Sequence, residues 1–368
     1  MIKFFDIGRQ YQRDKDVYLD LADQVLSSGQ MVNGPHCAAL ARALAIKSGR
    51  GHVVLTGSCT DALAFVGEAT VWEDTTVFFP LISFPATDNA FLRGIKHRKW
   101  NAEYVDVDYY RLIDLEKLEA MLQACKSAHK IVVWVNLYGN TVNYRLLDDI
   151  AYNNNALLIE DAAQSYGANY DRIWSGGMGT TSTLSFDPTK NLNSFGMGGA
   201  VLTDDHKVAR FVEMNRRPHT AQWINHGHNS QMKELDAAVV LWKLENRFYE
   251  WQTRRGEIAS YYFDELQEVA GSCYADTNLM KGAHHKYVMN IQCRGAVQAA
   301  MLEAGIETKI HYPRTLIPGP GTNAETFTHT GLSLPLYPEL SDAEVEVVAE
   351  VAAKVIKKIL KPSPIVHT

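Results

Sequence analysis

The 368 residues, 46% hydrophobic and 21% charged, suffice for two domains with sizeable cores. A formal net charge of -6 leaves no footprint for bulk nucleic-acid binding. No apolar run approaches the ~20 residues of a membrane span, the N-terminus MIKFFDIGRQYQRDKD is charged too early for a signal peptide, and Cys37, Cys59, Cys125, Cys273 and Cys293 form no C-x-x-C pair, which sets aside zinc-ribbon and thioredoxin readings and suits reduced thiols in the cytoplasm.

From Gly51 to Val201 short apolar runs alternate with helical stretches. His52–Leu55, Thr76–Phe79, Tyr104–Val107, Ile131–Val135, Ala156–Ile159 and Thr183–Phe186 read as strands, and Asp61–Ala69, Leu115–Cys125 and Tyr144–Tyr152 as helices. This order predicts a mostly parallel sheet with helices on both faces. Leu241, Leu244, Phe248 and Trp251 recur at helical spacing, so Leu235–Glu268 reads as one long amphipathic helix bridging two domains, residues 1–245 and 246–368. Beyond it lie a strand candidate at Lys286–Gln292, a Pro- and Gly-rich loop from Pro313 to Thr330, and a capping box, Ser341 and Glu344, before a final helix.

The turn LTGSCTDAL runs from a strand into a helix, and the free N–H groups and hydroxyls of Ser58, Cys59 and Thr60 can hold an anion. Any strand–helix turn can look so, but no P-loop or G-x-G-x-x-G signature competes. Phe84, past the second strand, is by position a core aromatic or a stacking partner. The run Arg93, Lys96, His97, Arg98, Lys99 reads as a solvated face. His226, His228, His284 and His285 match no common zinc spacing and read as loop histidines, so no metal is expected.

The stretch from Ala156 to Ala200 is the most informative. Its first strand ends in Glu160 and Asp161, and an acid at a strand's carboxyl end lies where open α/β sheets place ligands. The next strand leads through Asp187 and Pro188 to Lys190, with Gly196, Gly198 and Gly199 close behind. Most lysines are merely solvated. A lysine on a rigid turn beside a buried acid suits an aldehyde cofactor held as a Schiff base, its ring nitrogen paired to the carboxylate. Asp161 is equally placed to cap a helix, and Gln164, one turn on, to face solvent or a ring hydroxyl.

Taken in order, SCTDAL, PLISFPATDNAF, LYGN, IEDAAQSYG, SFDPTKN, FGMGGA, GHNSQMKELDAA, GIETKIHYP and LSLPLYPEL resemble the DegT/DnrJ/EryC1/StrS sugar aminotransferases over nearly the whole chain. The resemblance implies pyridoxal-phosphate fold type I: a three-layer α/β/α large domain around a mostly parallel mixed sheet, plus a smaller C-terminal α/β domain. It implies pyridoxal 5'-phosphate as cofactor, carrying the amine as pyridoxamine phosphate between half-reactions. By it, Lys190 forms the Schiff base and shuttles the proton, Asp161 pairs with the ring nitrogen, Gln164 lies near the ring oxygen and Phe84 stacks on the ring. Ser185 and the Ser58–Cys59–Thr60 turn bind phosphate, and Asn229 reaches the cofactor of a neighbouring subunit, so a homodimer with shared sites is implied. The implied substrates are an amino acid, L-glutamate foremost, and a nucleotide-linked keto sugar; a keto-cyclitol acceptor or a non-catalytic regulatory role stay open. A family dehydratase would carry histidine where Lys190 stands. Met197, Gln231 and Ser165 depart from the family's usual acid, arginine and His or Ala, which bears on substrate and donor rather than on cofactor.

Overall fold

The computed structural model describes residues 1–93, 95, 99–217, 227–272 and 280–360. Cys273, His226 and the basic-run residues Lys96, His97 and Arg98 lie outside them. In chain order the strands are β1 His52–Thr56, β2 Thr75–Pro80, β3 Trp100–Val105, β4 His129–Val135, β5 Ala156–Asp161, β6 Asn169–Tyr170, β7 Ile173–Trp174, β8 Thr181–Ser185, β9 Gly199–Thr203, β10 Gly271–Ser272, β11 Met280–Lys281, β12 Tyr287–Asn290 and β13 Gly331–Leu334. Seven form the main sheet in the order β1-β9-β8-β5-β4-β2-β3. Within it β9 alone runs against the rest.

Alternation along the strands sorts the apolar side chains onto two faces. Val77, Phe79, Ile131, Val133, Ile159 and Val201 meet the helices Cys59–Thr70 and His206–Asn215 on one face. Phe78, Val132, Trp134 and Leu158 meet Leu115–Ala124 and Tyr144–Asn153 on the other, where Leu184, Ala200 and Leu202 continue the layer under Pro35–Ser48 and Glu234–Asn246. Burial on both faces explains why β2 and β4 read as continuous apolar runs.

A second core joins the helices Phe248–Leu266, Arg294–Glu303 and Asp342–Leu360 to the antiparallel sheet β10-β12-β13 through Tyr262, Leu266, Met289, Leu332 and Val348. Ile2 and Phe5 pack on this core, and the Ile2 N–H donates to Gly305 O at 2.8 Å. The capping box forms as the sequence predicts: the Ser341 N–H donates to Glu344 Oε2 at 2.9 Å and the Glu344 N–H to Ser341 Oγ at 3.3 Å. Among the described residues no helix is long and apolar enough to cross a membrane.

Four expectations need correction. The helix expected at Leu235–Glu268 is two, Glu234–Asn246 and Phe248–Leu266, broken at Arg247 with φ -129 and ψ -27. The two pieces serve different cores, so continuous periodicity does not mark the break. The third strand begins at Trp100, not Tyr104, because an edge strand with alternating exposure carries little apolar signal. Asn323–Thr330, expected within a loop, is a helix capped by the Thr322 side chain. Finally β9, hidden in GMGGA, is a buried strand. A Cβ on Gly199 would lie 2.4 Å from Cys59 N, so glycine there reflects close packing rather than a loop.

Candidate active site

The carboxyl ends of β2, β4, β5 and β8 open on one edge of the sheet, and most candidate residues gather there. Asp161 closes β5 and is buried. Thr87 Oγ1 donates to its Oδ2 at 2.7 Å and the Ala163 N–H to its Oδ1 at 3.1 Å. Burial raises its pKa above the usual carboxylate range, and Thr87, Ala163 and the nearby Lys190 ammonium only partly oppose that. A buried carboxyl held by two neutral donors, at a strand end, fits a protonated ring nitrogen as its missing partner.

Lys190 is half-buried on the turn after β8. Its N–H donates to Asp187 O at 2.9 Å, and Asp187 Oδ1 takes the Thr189 N–H and hydroxyl at 2.9 and 2.6 Å. Asn193 Nδ2 donates to Pro188 O at 2.6 Å, and the fully buried Lys243 donates from Nζ to Asn193 Oδ1 at 2.9 Å. Burial lowers the Lys243 pKa to about 7. Thus the buried Lys243 amine fixes the turn that carries Lys190.

Ser58 caps the helix Cys59–Thr70, its Oγ accepting the Asp61 N–H. Ser185 pairs with Gly199, and Gly199 lies against Ser58 and Cys59, so Ser185 and this helix start adjoin. The absence of a Cβ at Gly199 makes this close approach possible. Asp61, in the first helical turn, is held by His228 Nε2 at 3.0 Å, Ser230 Oγ at 2.8 Å and Arg93 at 3.1 Å. Burial alone would raise its pKa, but these three partners pull it far below the ordinary value. The acid in the first turn of this helix is therefore already engaged by its own partners.

A cavity of about 610 Å³ brings Lys190 together with Phe84 and Gln164. Phe84 is 59% exposed, which places it on the cavity rather than in the core. Gln164 accepts the Tyr138 N–H at 2.9 Å and donates to the Tyr312 hydroxyl at 2.7 Å. The LYGN motif now has a physical reason: Gly139 has φ 88, and a Cβ there would lie 2.8 Å from His285 N. Tyr138 O accepts the His285 and Lys286 N–H groups at 3.0 and 3.2 Å, which locks the C-terminal unit onto the cavity wall.

His285 Nδ1 is 3.0 Å from Asn191 Oδ1. Asn191 Nδ2 is already spent on Ala283 O and Gln252 Oε1, so Nδ1 carries the proton and Nε2 is an acceptor. Burial, with Lys286 and Lys190 close by, keeps this imidazole neutral. Thr87, Tyr138, His285, Lys286 and Tyr312 were missed as site residues; Tyr138 and Tyr312 lie inside the LYGN and HYP segments, which offered the signal. Asn229 is exposed, accepts Gln231 Nε2 at 3.2 Å and does not line this cavity, and the Pro313–Thr330 segment adds no residue to its lining.

Residues 12–352 match the DegT/DnrJ/EryC1/StrS aminotransferase family. The UDP-2-acetamido-2-deoxy-3-oxo-D-glucuronate aminotransferase of Pseudomonas aeruginosa is 32% identical, over 95% of this chain and 98% of its own. A pleiotropic regulatory protein of Geobacillus stearothermophilus is 29% identical over 96% and 98%. The crystal structure of a DegT DnrJ EryC1 StrS aminotransferase from Brucella abortus superposes with a TM-score of 0.88 at 26% identity, covering 96% of this chain and 99% of that one. The sheet, the buried acid and the cavity lysine thus sit in a fold that these relatives share, and the chain belongs to the DegT/DnrJ/EryC1/StrS family as a pyridoxal-phosphate-dependent aminotransferase.

Proposed function

We propose that this protein moves an amino group from L-glutamate to a nucleotide-linked keto sugar and so makes an amino sugar. The observation that carries the reading is Lys190 on the cavity with the buried carboxyl of Asp161 within electrostatic reach. The activity named for the Pseudomonas relative, an amino transfer to a UDP-linked 3-oxo sugar acid, supports the acceptor class.

Pyridoxal phosphate, when bound, supplies an aldehyde that takes up an amine and a ring that stores an electron pair. Lys190 Nζ would hold it until the donor amine takes that place. Once displaced, the Lys190 amine would take the proton from the donor α-carbon. Asp161 keeps the ring nitrogen protonated, and Thr87 fixes the carboxyl that does so. Phe84 would lie against the ring, and Gln164, braced by Tyr138 and Tyr312, would face the ring oxygen. Ser58, Cys59, Thr60 and Ser185 hold the phosphate. Asn229 reaches across a homodimer to the other subunit's phosphate, for which its exposure leaves it available. We assign the work to the cytoplasm, consistent with Cys37, Cys59, Cys125 and Cys293 being free.

The test is optical. The purified protein, loaded with pyridoxal phosphate, should lose its yellow colour on addition of L-glutamate and regain it with a keto sugar nucleotide. Lys190→Ala should do neither, and full turnover by that variant would end the reading. The regulatory name of the Geobacillus relative favours a second possibility, cofactor binding without turnover. A colour indifferent to every amino acid would select it.

A further inference from the structure

Two cavity lysines have no task in this scheme. Lys286 lies one residue before β12, and Lys309 exchanges two backbone hydrogen bonds with Ser333 of β13, at 3.1 and 2.9 Å. Ser333 faces Val288 on the neighbouring strand. Directly opposed residues share a face of a sheet, as do residues two apart on a strand. Lys286, Val288, Ser333 and Lys309 therefore stand on one face, where Val288 packs with Tyr138 and Tyr312. Both lysines line the cavity with Lys190.

Their charges are not balanced. Among the described residues neither lysine has an ion pair within 4.0 Å. Glu307 is the sole acid among those lining the cavity, and its Oε2 accepts the Phe4 N–H at 3.0 Å. Lys286 Nζ lies 5.2 Å from the Phe4 ring centroid, a weak substitute for a counter-ion. Burial, together with Arg255, Lys190 and Lys309, holds the Lys286 pKa well below the ordinary lysine value; Asp187 pulls the other way, but its Oδ1 is engaged by Thr189. Burial and the same lysines push His311 down to about 3, so the histidine adds no charge and the excess rests on the amines. Lys286 is half-buried and Lys309 exposed, so it is chiefly the Lys286 charge that is drawn from water without a partner, a cost that an incoming anion relieves.

We propose that Lys286 and Lys309 form a carboxylate subsite, and that the substrate seated against Lys190 presents an acid group to them. The choice of carboxylate follows from the reaction, since every amino-acid donor brings one into this cavity. An acidic acceptor sugar would bring a second, and the two half-reactions would then use one subsite in turn. The inference rests on Lys190 being the reacting amine.

Calorimetric titration of the holoenzyme tests it with three probes: glutarate, UDP-glucuronate and neutral UDP-glucose. Losing a hydrogen bond to a charged group should weaken an acid probe roughly ten- to a hundredfold in Lys286→Met. Lys286→Arg should recover most of that loss, which a merely disturbed fold would not. Weakening of glutarate marks the donor as the source of the acid, and weakening of UDP-glucuronate alone marks the acceptor. Equal losses for UDP-glucuronate and UDP-glucose would overturn the proposal. So would unchanged binding of both acid probes in Lys286→Met and Lys309→Met, or no binding of either to the unaltered protein. Cofactor bleaching is read separately, so a protein that binds the acids through Lys286 yet accepts no amine sinks the aminotransfer reading alone.

Discussion

Asp161 and Thr87 act as one unit at the residue scale. Asp161→Asn keeps the shape but not the charge that holds a ring proton, and should slow both half-reactions on the order of 10²-fold. Thr87→Val removes the 2.7 Å hydrogen bond and should slow transfer about tenfold, read by single-turnover absorbance. An unchanged rate in either variant contradicts the assigned role. Lys243 makes a different prediction. Its pKa is 10.5 in an unfolded chain and about 7 in the fold. Between these values the unfolded chain holds more protons, so stability rises with pH by up to about 1.4 kcal/mol per unit, and below pH 7 this contribution is flat. Urea unfolding from pH 7 to 9 should show the rise, and Lys243→Met should abolish it. Asp161 and Lys190 stand out as candidates in the sequence because an acid and a lysine follow neighbouring strands in a pattern few other chemistries use. Thr87 and Lys243 do not, because an ordinary threonine and a helical lysine announce nothing until the chain folds around them.

Among elements, the turn after β4 has the tightest tolerance. Gly139→Ala must place a side chain at φ 88 and 2.8 Å from His285 N, which should cost on the order of 1–3 kcal/mol. The penalty should also loosen the cavity wall, so substrate binding falls along with the melting temperature; a loss of stability alone would show that the turn is only structural. The sheet's interior strands were readable as apolar runs, since β2 and β4 are buried on both faces. The failures had local causes. Gly199 at the start of β9 carries no hydrophobic signal, the exposed side chains of β3 dilute its own, and Arg247 interrupts a helix while the apolar periodicity carries on across it.

The whole molecule is proposed to work as a pair. If Asn229 serves the opposite subunit, Lys190→Ala and Asn229→Ala chains, each poorly active alone, should regain activity when refolded together. One site of each mixed dimer then holds both residues, whereas an Asn229 that serves its own chain gives no rescue. The proposed division at residues 245 and 246 falls beside the Arg247 break, yet the first residues of the chain pack on the second core.

That last feature bears on assembly. Phe4 and Phe5 line the cavity that holds Lys190, and Phe4 is tied to Glu307 across 303 positions of sequence. On a ribosome Phe4 is made 303 positions before Glu307 and must wait for that whole stretch before the contact can form. A contact so distant in sequence carries a large loop-closure cost and tends to form late. The wall of the Lys190 cavity is therefore among the last features to be completed. A nascent chain can fold its β-sheet core early, but it closes this wall of the cavity only after Glu307 has been made.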